Sequence, residues 1–203
     1  MKTLVFFGDS NTYGYDPSTG RGSGGRYPVD VRWTELVKKE LKNSVEIFSE
    51  GRVRRCIPSM KFEYKEFMDI IEGYDHIDYF VIMLGTNDFL SQPHPDTCKV
   101  GQRMSSFLEK INLLDIFISW NTKFIVLAPP YMDFHGDRFY ESYGTANGSL
   151  SMSLKKAAEM QHAGFIDSGP WNPECCDDHI HLSAFGHRIF AENLIKEIKA
   201  LII

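Results

Sequence analysis

The 203-residue sequence predicts an α/β protein built on a parallel sheet. Three observations carry that prediction. Short apolar runs of strand length alternate with stretches in which apolar residues recur at helical spacing. The run at 78–84 (Asp-Tyr-Phe-Val-Ile-Met-Leu) is apolar without alternation, as in a strand buried on both faces. The polar motifs of greatest chemical interest all fall just after predicted strands, the edge at which parallel sheets bind ligands.

The elements follow in order. Residues 3–7, β-branched and aromatic, form a first strand stopped by Gly8. The glycine-rich stretch 20–25 reads as a loop over the site. Asp30 is placed to cap a helix with Trp33, Leu36, Val37 and Leu41 on one stripe. Residues 45–48 form a second strand ending before Gly51, and a helical pattern after Pro58 runs through Phe67, Ile70 and Ile71. The third strand, 78–84, ends at Gly85. The spacing of Val100, Met104, Phe107, Leu108, Ile111 and Leu114 predicts one long helix over 97–120. A fourth strand at 123–127 stops at Pro129-Pro130. Residues 131–148 are expected to be irregular, a second loop over the site. A helix over 150–162, a strand at 165–167 and a closing helix over 183–201 complete a single expected domain, 1–203, without repeats or linkers.

Composition narrows the function. Apolar residues make up 43% and charged residues 24%, within the globular range. A net charge of -5 argues against a nucleic-acid partner, and Arg52, Arg54 and Arg55 read as a solvated or substrate-facing patch. No stretch approaches the length needed to span a membrane, and the apolar run at the N-terminus is too short for a secretory signal. Cys56, Cys98, Cys175 and Cys176 are therefore expected to be free thiols in a reducing, cytoplasmic setting.

The chemistry concentrates at the two ends of the chain. Gly8-Asp9-Ser10 offers a candidate nucleophile, and Asp178-His179-Ile180-His181 a base with an orienting carboxylate. A serine hydroxyl is a poor nucleophile until an imidazole takes its proton, and the imidazole works best when a carboxylate fixes its tautomer. Asp177 and His179 are rivals by residue type, and Asp9 suits a turn. Gly51 and Gly85-Thr86-Asn87-Asp88 offer oxyanion donors. Zinc is a weaker reading of Cys175, Cys176, Asp177, Asp178, His179 and His181, because adjacent cysteines point apart and no Cys-x-x-Cys pair exists. With no Gly-x-Gly-x-x-Gly after the first strand and no Walker phosphate loop, nucleotide chemistry is disfavoured.

Phe-Gly-Asp-Ser-Asn-Thr after the first strand, Gly51 after the second, Gly-Thr-Asn-Asp after the third and Asp-x-x-His before the last helix resemble the SGNH hydrolases, the GDSL-like lipase/esterase family. The resemblance implies a three-layer α/β/α sandwich with a flavodoxin-like five-stranded parallel sheet, and ester hydrolysis without a cofactor. It implies Ser10 as nucleophile, His181 as base, Asp178 as its partner, and Ser10, Gly51 and Asn87 as the oxyanion hole. Asp88 and Thr86 would fix their loop. Tyr13-Gly14-Tyr15 and Val31-Arg32-Trp33-Thr34 are similar to a branch of small arylesterases and acyltransferases acting on short acyl esters. Trp33 is either core or acyl-pocket lining. Tyr131, Met132, Phe134, Phe139 and Tyr140 fit a compact substrate pocket, or equally a subunit interface of a homo-oligomer. A carbohydrate acetyl esterase, a lysophospholipase and a non-catalytic binding module stay open as alternatives to a small-molecule ester hydrolase.

Overall fold

A computed structural model describes residues 1–19, 25–132, 134 and 140–202. Five parallel strands, β1 (Lys2–Gly8), β2 (Val45–Gly51), β3 (Tyr79–Met83), β4 (Lys123–Leu127) and β5 (Gly164–Ile166), form one sheet in the order β2-β1-β3-β4-β5. β1 lies between two neighbours with both faces covered, so Leu4, Val5, Phe6 and Phe7 are all buried, and a continuous apolar run is what such a strand needs.

Helices cover both faces, as expected for the three-layer sandwich. On one side Phe7, Phe80, Ile82 and Val126 pack against α3 (Lys61–Ile71), α5 (Thr97–Asn112), α6 (Asp115–Trp120) and α7 (Glu141–Met160). On the other, Leu4, Phe6, Val81 and Leu127 pack against α2 (Trp33–Leu41) and α8 (Ala184–Ile202). Trp33 belongs wholly to this second core. Its ring meets Phe6 at 4.8 Å and Phe190 at 5.1 Å, and its indole N–H donates to the Asn11 carbonyl at 2.8 Å.

Three expected elements differ. Asp30 does not cap α2: it sits in a turn in which Val31 and Arg32 donate to the Pro28 carbonyl, and the helix begins after Arg32 without a side-chain cap. The single helix over 97–120 is two helices, parted at Leu113-Leu114. An unbroken helix would carry Asp115 and Ile118 inward on the stripe of Leu108 and Ile111. The break leaves Ile118 exposed and buries Phe117 against Phe80 and Phe124, with ring separations of 5.8 and 5.0 Å. Finally, α7 starts at Glu141, inside the stretch expected to be irregular. Gly144 and Gly148 disfavour helix there, but Tyr143 and Leu150 are buried in the core, and packing prevails over propensity.

Sheet order reverses between β1 and β3, since β1 leads to β2 on one side and β3 follows on the other. That switch point opens a crevice beyond the carboxyl ends of the two strands.

Candidate active site

The turn after β1 is built around Asp9. Its carboxylate caps a single helical turn, α1 (Ser10–Tyr13), by accepting the Asn11 N–H at 3.0 Å. Gly14 closes the turn in a left-handed conformation (φ 80°), its N–H returning to the Ser10 carbonyl. Burial pushes the Asp9 carboxyl up to about 6, against the Asn11 hydrogen bond and the His181 charge. Ser10 thereby sits at the first helical position, where its N–H has no acceptor among the described residues.

His181 reaches this turn from the loop before α8. Its Nε2 lies 2.9 Å from Ser10 Oγ, and its Nδ1 lies 2.5 Å from Asp178 Oδ2. The other Asp178 oxygen accepts the Ile180 and His181 N–H groups at 3.0 and 2.9 Å. Burial raises the Asp178 carboxyl, but the bonds from the His181 ring and these two N–H groups outweigh it and hold it below the usual carboxylate range. The Tyr15 ring lies 4.8 Å from the imidazole. The structure thus brings together Ser10, Asp178 and His181 from opposite ends of the chain. His179 and Asp177 point their side chains to no described partner, and the backbone of His179 is left-handed (φ 61°).

Sequence reasoning missed Asn11. Its amide donates to the Ile180 carbonyl at 3.1 Å and accepts the Leu182 N–H at 2.9 Å, gripping the backbone on both sides of His181. The contact links residues far apart in the chain, so no local signal marks it.

Asn87 lies in the first turn of α4 (Thr86–Leu90), which follows β3 through Gly85. Its Nδ2 donates to the Arg55 carbonyl at 3.0 Å, so one amide hydrogen orients the group and the second is left over. Asp88 secures this loop: it accepts the Ile57 N–H at 3.0 Å and pairs with Arg103 at 2.7 Å.

Gly51 is glycine for a packing reason. A Cβ there would meet Tyr13 N at 2.2 Å and the Thr12 carbonyl carbon at 2.5 Å, because α1 rests directly on the end of β2. Gly51 stands opposite Gly8, whose carbonyl accepts the Arg52 N–H at 3.1 Å. In a parallel ladder a residue bonds to its partner's neighbours, so Gly51 turns its own N–H to the outer side of β2, the edge strand.

The arginine cluster divides. Arg55 is buried, not solvated: its guanidinium lies 4.2 Å over the Phe7 ring and donates to the carbonyls of Gly8 (2.9 Å) and Glu50. Burial, with Arg52 adding to it, lowers its pKa to about 10. Arg52 pairs with Glu66 at the surface, and Arg54 is exposed with a left-handed backbone (φ 63°). Of the aromatic loop residues, Met132 and Phe134 are core, Tyr131 and Tyr140 are exposed, and Phe139 lies outside the described residues, as do residues 20–24 of the glycine-rich stretch.

Among the described residues no group of three His, Cys, Asp or Glu side chains is arranged to hold a metal, no disulfide forms, and no helix is long and apolar enough to cross a membrane. The arrangement can move a proton from Ser10 to His181 while Asp178 holds the ring.

The model of the GDSL-like lipase/acylhydrolase family matches residues 4–194. None of the curated proteins matches. Among solved structures, the native M. smegmatis aryl esterase superposes with a TM-score of 0.80 at 21% identity, covering 100% of both chains. Est24, a carbohydrate acetylesterase from Sinorhizobium meliloti, gives 0.79 at 24% identity, again over 100% of both. A lipase/acylhydrolase from Enterococcus faecalis gives 0.70 at 22% identity, over 98% of this chain and 96% of its own. At these identities the likeness is one of fold.

Proposed function

Because the chain belongs to the GDSL-like lipase/acylhydrolase family, we propose that it is a serine esterase that cleaves short acyl esters through an acyl-enzyme on Ser10. The observation that carries the reading is the unbroken line from Ser10 Oγ through His181 to Asp178. His181 Nε2 takes the Ser10 proton as Oγ attacks the ester carbonyl, and Asp178 steadies the imidazolium. The carbonyl oxygen becomes an oxyanion facing the Ser10 N–H and the remaining Asn87 amide hydrogen. As the tetrahedral adduct collapses, His181 returns the proton to the departing alkoxide, leaving the acyl group on Ser10. Water, deprotonated by the same imidazole, then attacks and releases the acid. Attack by a second alcohol in place of water would turn the same intermediate toward acyl transfer. We do not count Gly51 among the donors, because its N–H faces the outer edge of the sheet.

A short acyl group is supported by where the apolar side chains go. Trp33 and Phe134 are spent on the core and are withdrawn from any long acyl channel. Four cysteines without a disulfide fit a reducing compartment, and on that ground we place the protein in the cytoplasm.

The test is hydrolysis of p-nitrophenyl acetate, butyrate and octanoate by wild type and Ser10→Ala, with chelator present. Turnover that declines with chain length and disappears in the variant is expected. Turnover that survives in Ser10→Ala removes the serine mechanism.

A further inference from the structure

The two proposed oxyanion donors belong to different segments: the Ser10 N–H to the turn after β1, the Asn87 amide to the first turn of α4 after β3. Such a hole works only when both donors meet the same oxygen at about 2.7–3.1 Å, so one segment must be fixed against the other. One residue touches both. Arg55 offers its main-chain carbonyl to Asn87 Nδ2 at 3.0 Å, and its guanidinium Nη1 donates to the Gly8 carbonyl at 2.9 Å, just ahead of Asp9 and Ser10. The same Nη1 donates to the Glu50 carbonyl near the end of β2, which spends both of its hydrogens.

The turn that carries Arg55 is tight. The Arg55 N–H donates to the Arg52 carbonyl at 3.2 Å, and Arg54 between them is left-handed (φ 63°), a conformation costly for any residue with a side chain. The Arg52 N–H also donates to the Gly8 carbonyl, at 3.1 Å. Both acceptor sites of that carbonyl therefore go to this one turn, and the peptide plane leading into Asp9 and Ser10 is held from two directions. Arg55 is 5% exposed and its guanidinium lies 4.2 Å over the Phe7 ring. Burial lowers its pKa only to about 10, so it stays charged at neutral pH, and charge-assisted hydrogen bonds are the stronger kind. We propose that Arg55 is the positioning residue of the oxyanion hole. It grips Gly8 with its guanidinium and Asn87 with its carbonyl, and so sets the distance between the Ser10 N–H and the Asn87 amide. It acts through those two donors and touches no reacting atom.

The inference rests on the serine-esterase reading, and diethyl p-nitrophenyl phosphate separates the two. Ser10 Oγ forms a bond to phosphorus, the bond to p-nitrophenolate breaks, the Ser10 proton passes to His181, and the phosphoryl oxygen takes the oxyanion's place. Wild type is expected to release p-nitrophenolate stoichiometrically, and Ser10→Ala none. Wild type that is not labelled, or Ser10→Ala labelled as fast, overturns the mechanism beneath the proposal. Arg55→Met should be labelled roughly 10- to 100-fold more slowly. Its kcat on p-nitrophenyl acetate should fall by a similar factor, with KM within about threefold. Asn87→Ala already lacks one of the two donors, so adding Arg55→Met to it should cost at most about threefold more. Losses that multiply in the double variant, a loss confined to KM, or wild-type labelling by folded Arg55→Met make Arg55 a fold residue only and overturn the proposal. If Arg55→Met does not fold, Arg55→Lys carries the test, because it keeps the charge over Phe7 but falls short of Nη1 and lacks the planar fork. Slower labelling by folded Arg55→Lys that disappears in the Asn87→Ala background supports the proposal, and an undiminished rate overturns it.

Discussion

Asn11 holds His181 in place without touching its ring: one side-chain amide binds the Ile180 carbonyl at 3.1 Å and the Leu182 N–H at 2.9 Å. Since Asn11 is bonded in sequence to Ser10, the clasp ties the nucleophile and its base to one rigid turn. Asn11→Ala should lower kcat by roughly 10- to 100-fold with little change in KM, because misplacing a catalytic group by about an ångström costs on that order. Steady-state kinetics on p-nitrophenyl acetate check this. A variant that loses stability yet keeps wild-type kcat would make Asn11 a fold residue only.

Asn87 has one amide hydrogen engaged by Arg55 and one to offer. Asn87→Ala is expected to reduce kcat about 10²- to 10³-fold, the usual cost of losing one oxyanion donor, while KM stays within a few-fold. A change confined to KM would count against the assignment.

Gly51→Ala distinguishes packing from donation. Alanine keeps the backbone N–H, so a pure donor role predicts near-normal stability and activity. The clash with Tyr13 N at 2.2 Å is with backbone and cannot be relieved by a rotamer. Urea denaturation should show a loss of about 1–3 kcal/mol or more, with activity falling as α1 lifts off β2. Unchanged stability would refute the packing account.

Asp9 makes stability depend on pH. Its folded-state pKa of about 6 lies above the ordinary 3.8, so the folded protein prefers the protonated carboxyl. Its contribution is favourable below about pH 4 and is lost as pH rises through 6. Asp9→Asn retains an acceptor for the Asn11 N–H and has no charge to desolvate. The stability of the variant relative to wild type should therefore climb between pH 4 and 7, by at most about 3 kcal/mol. Denaturation curves across that range test it, and a difference that does not vary with pH would exclude Asp9 as the titrating group.

What was legible in the sequence was whatever is encoded locally. Leu4 to Phe7 and Phe80 to Leu84 announce strands because burial on both faces demands an unbroken apolar run. The alternation of such runs with helical stripes is enough for a parallel sheet, and motifs after three of the strands point to its carboxyl edge. Ser10, Asp178 and His181 stand out because the residue types and the Asp-x-x-His spacing are themselves the chemistry. The tertiary structure alone decided the rest, since each outcome turns on a partner distant in sequence. The break at Leu113-Leu114 has no glycine or proline to mark it; it exists because Phe117 finds Phe80 and Phe124. Helix α7 begins early because Tyr143 is buried, despite Gly144 and Gly148. Arg55 leaves the surface patch because two carbonyls and the Phe7 ring receive it. Gly51 is required by α1 lying against it, and Asn11 acts on a loop from the far end of the chain. Periodicity and residue type record what a segment needs to bury, but only packing in three dimensions determines which group it meets.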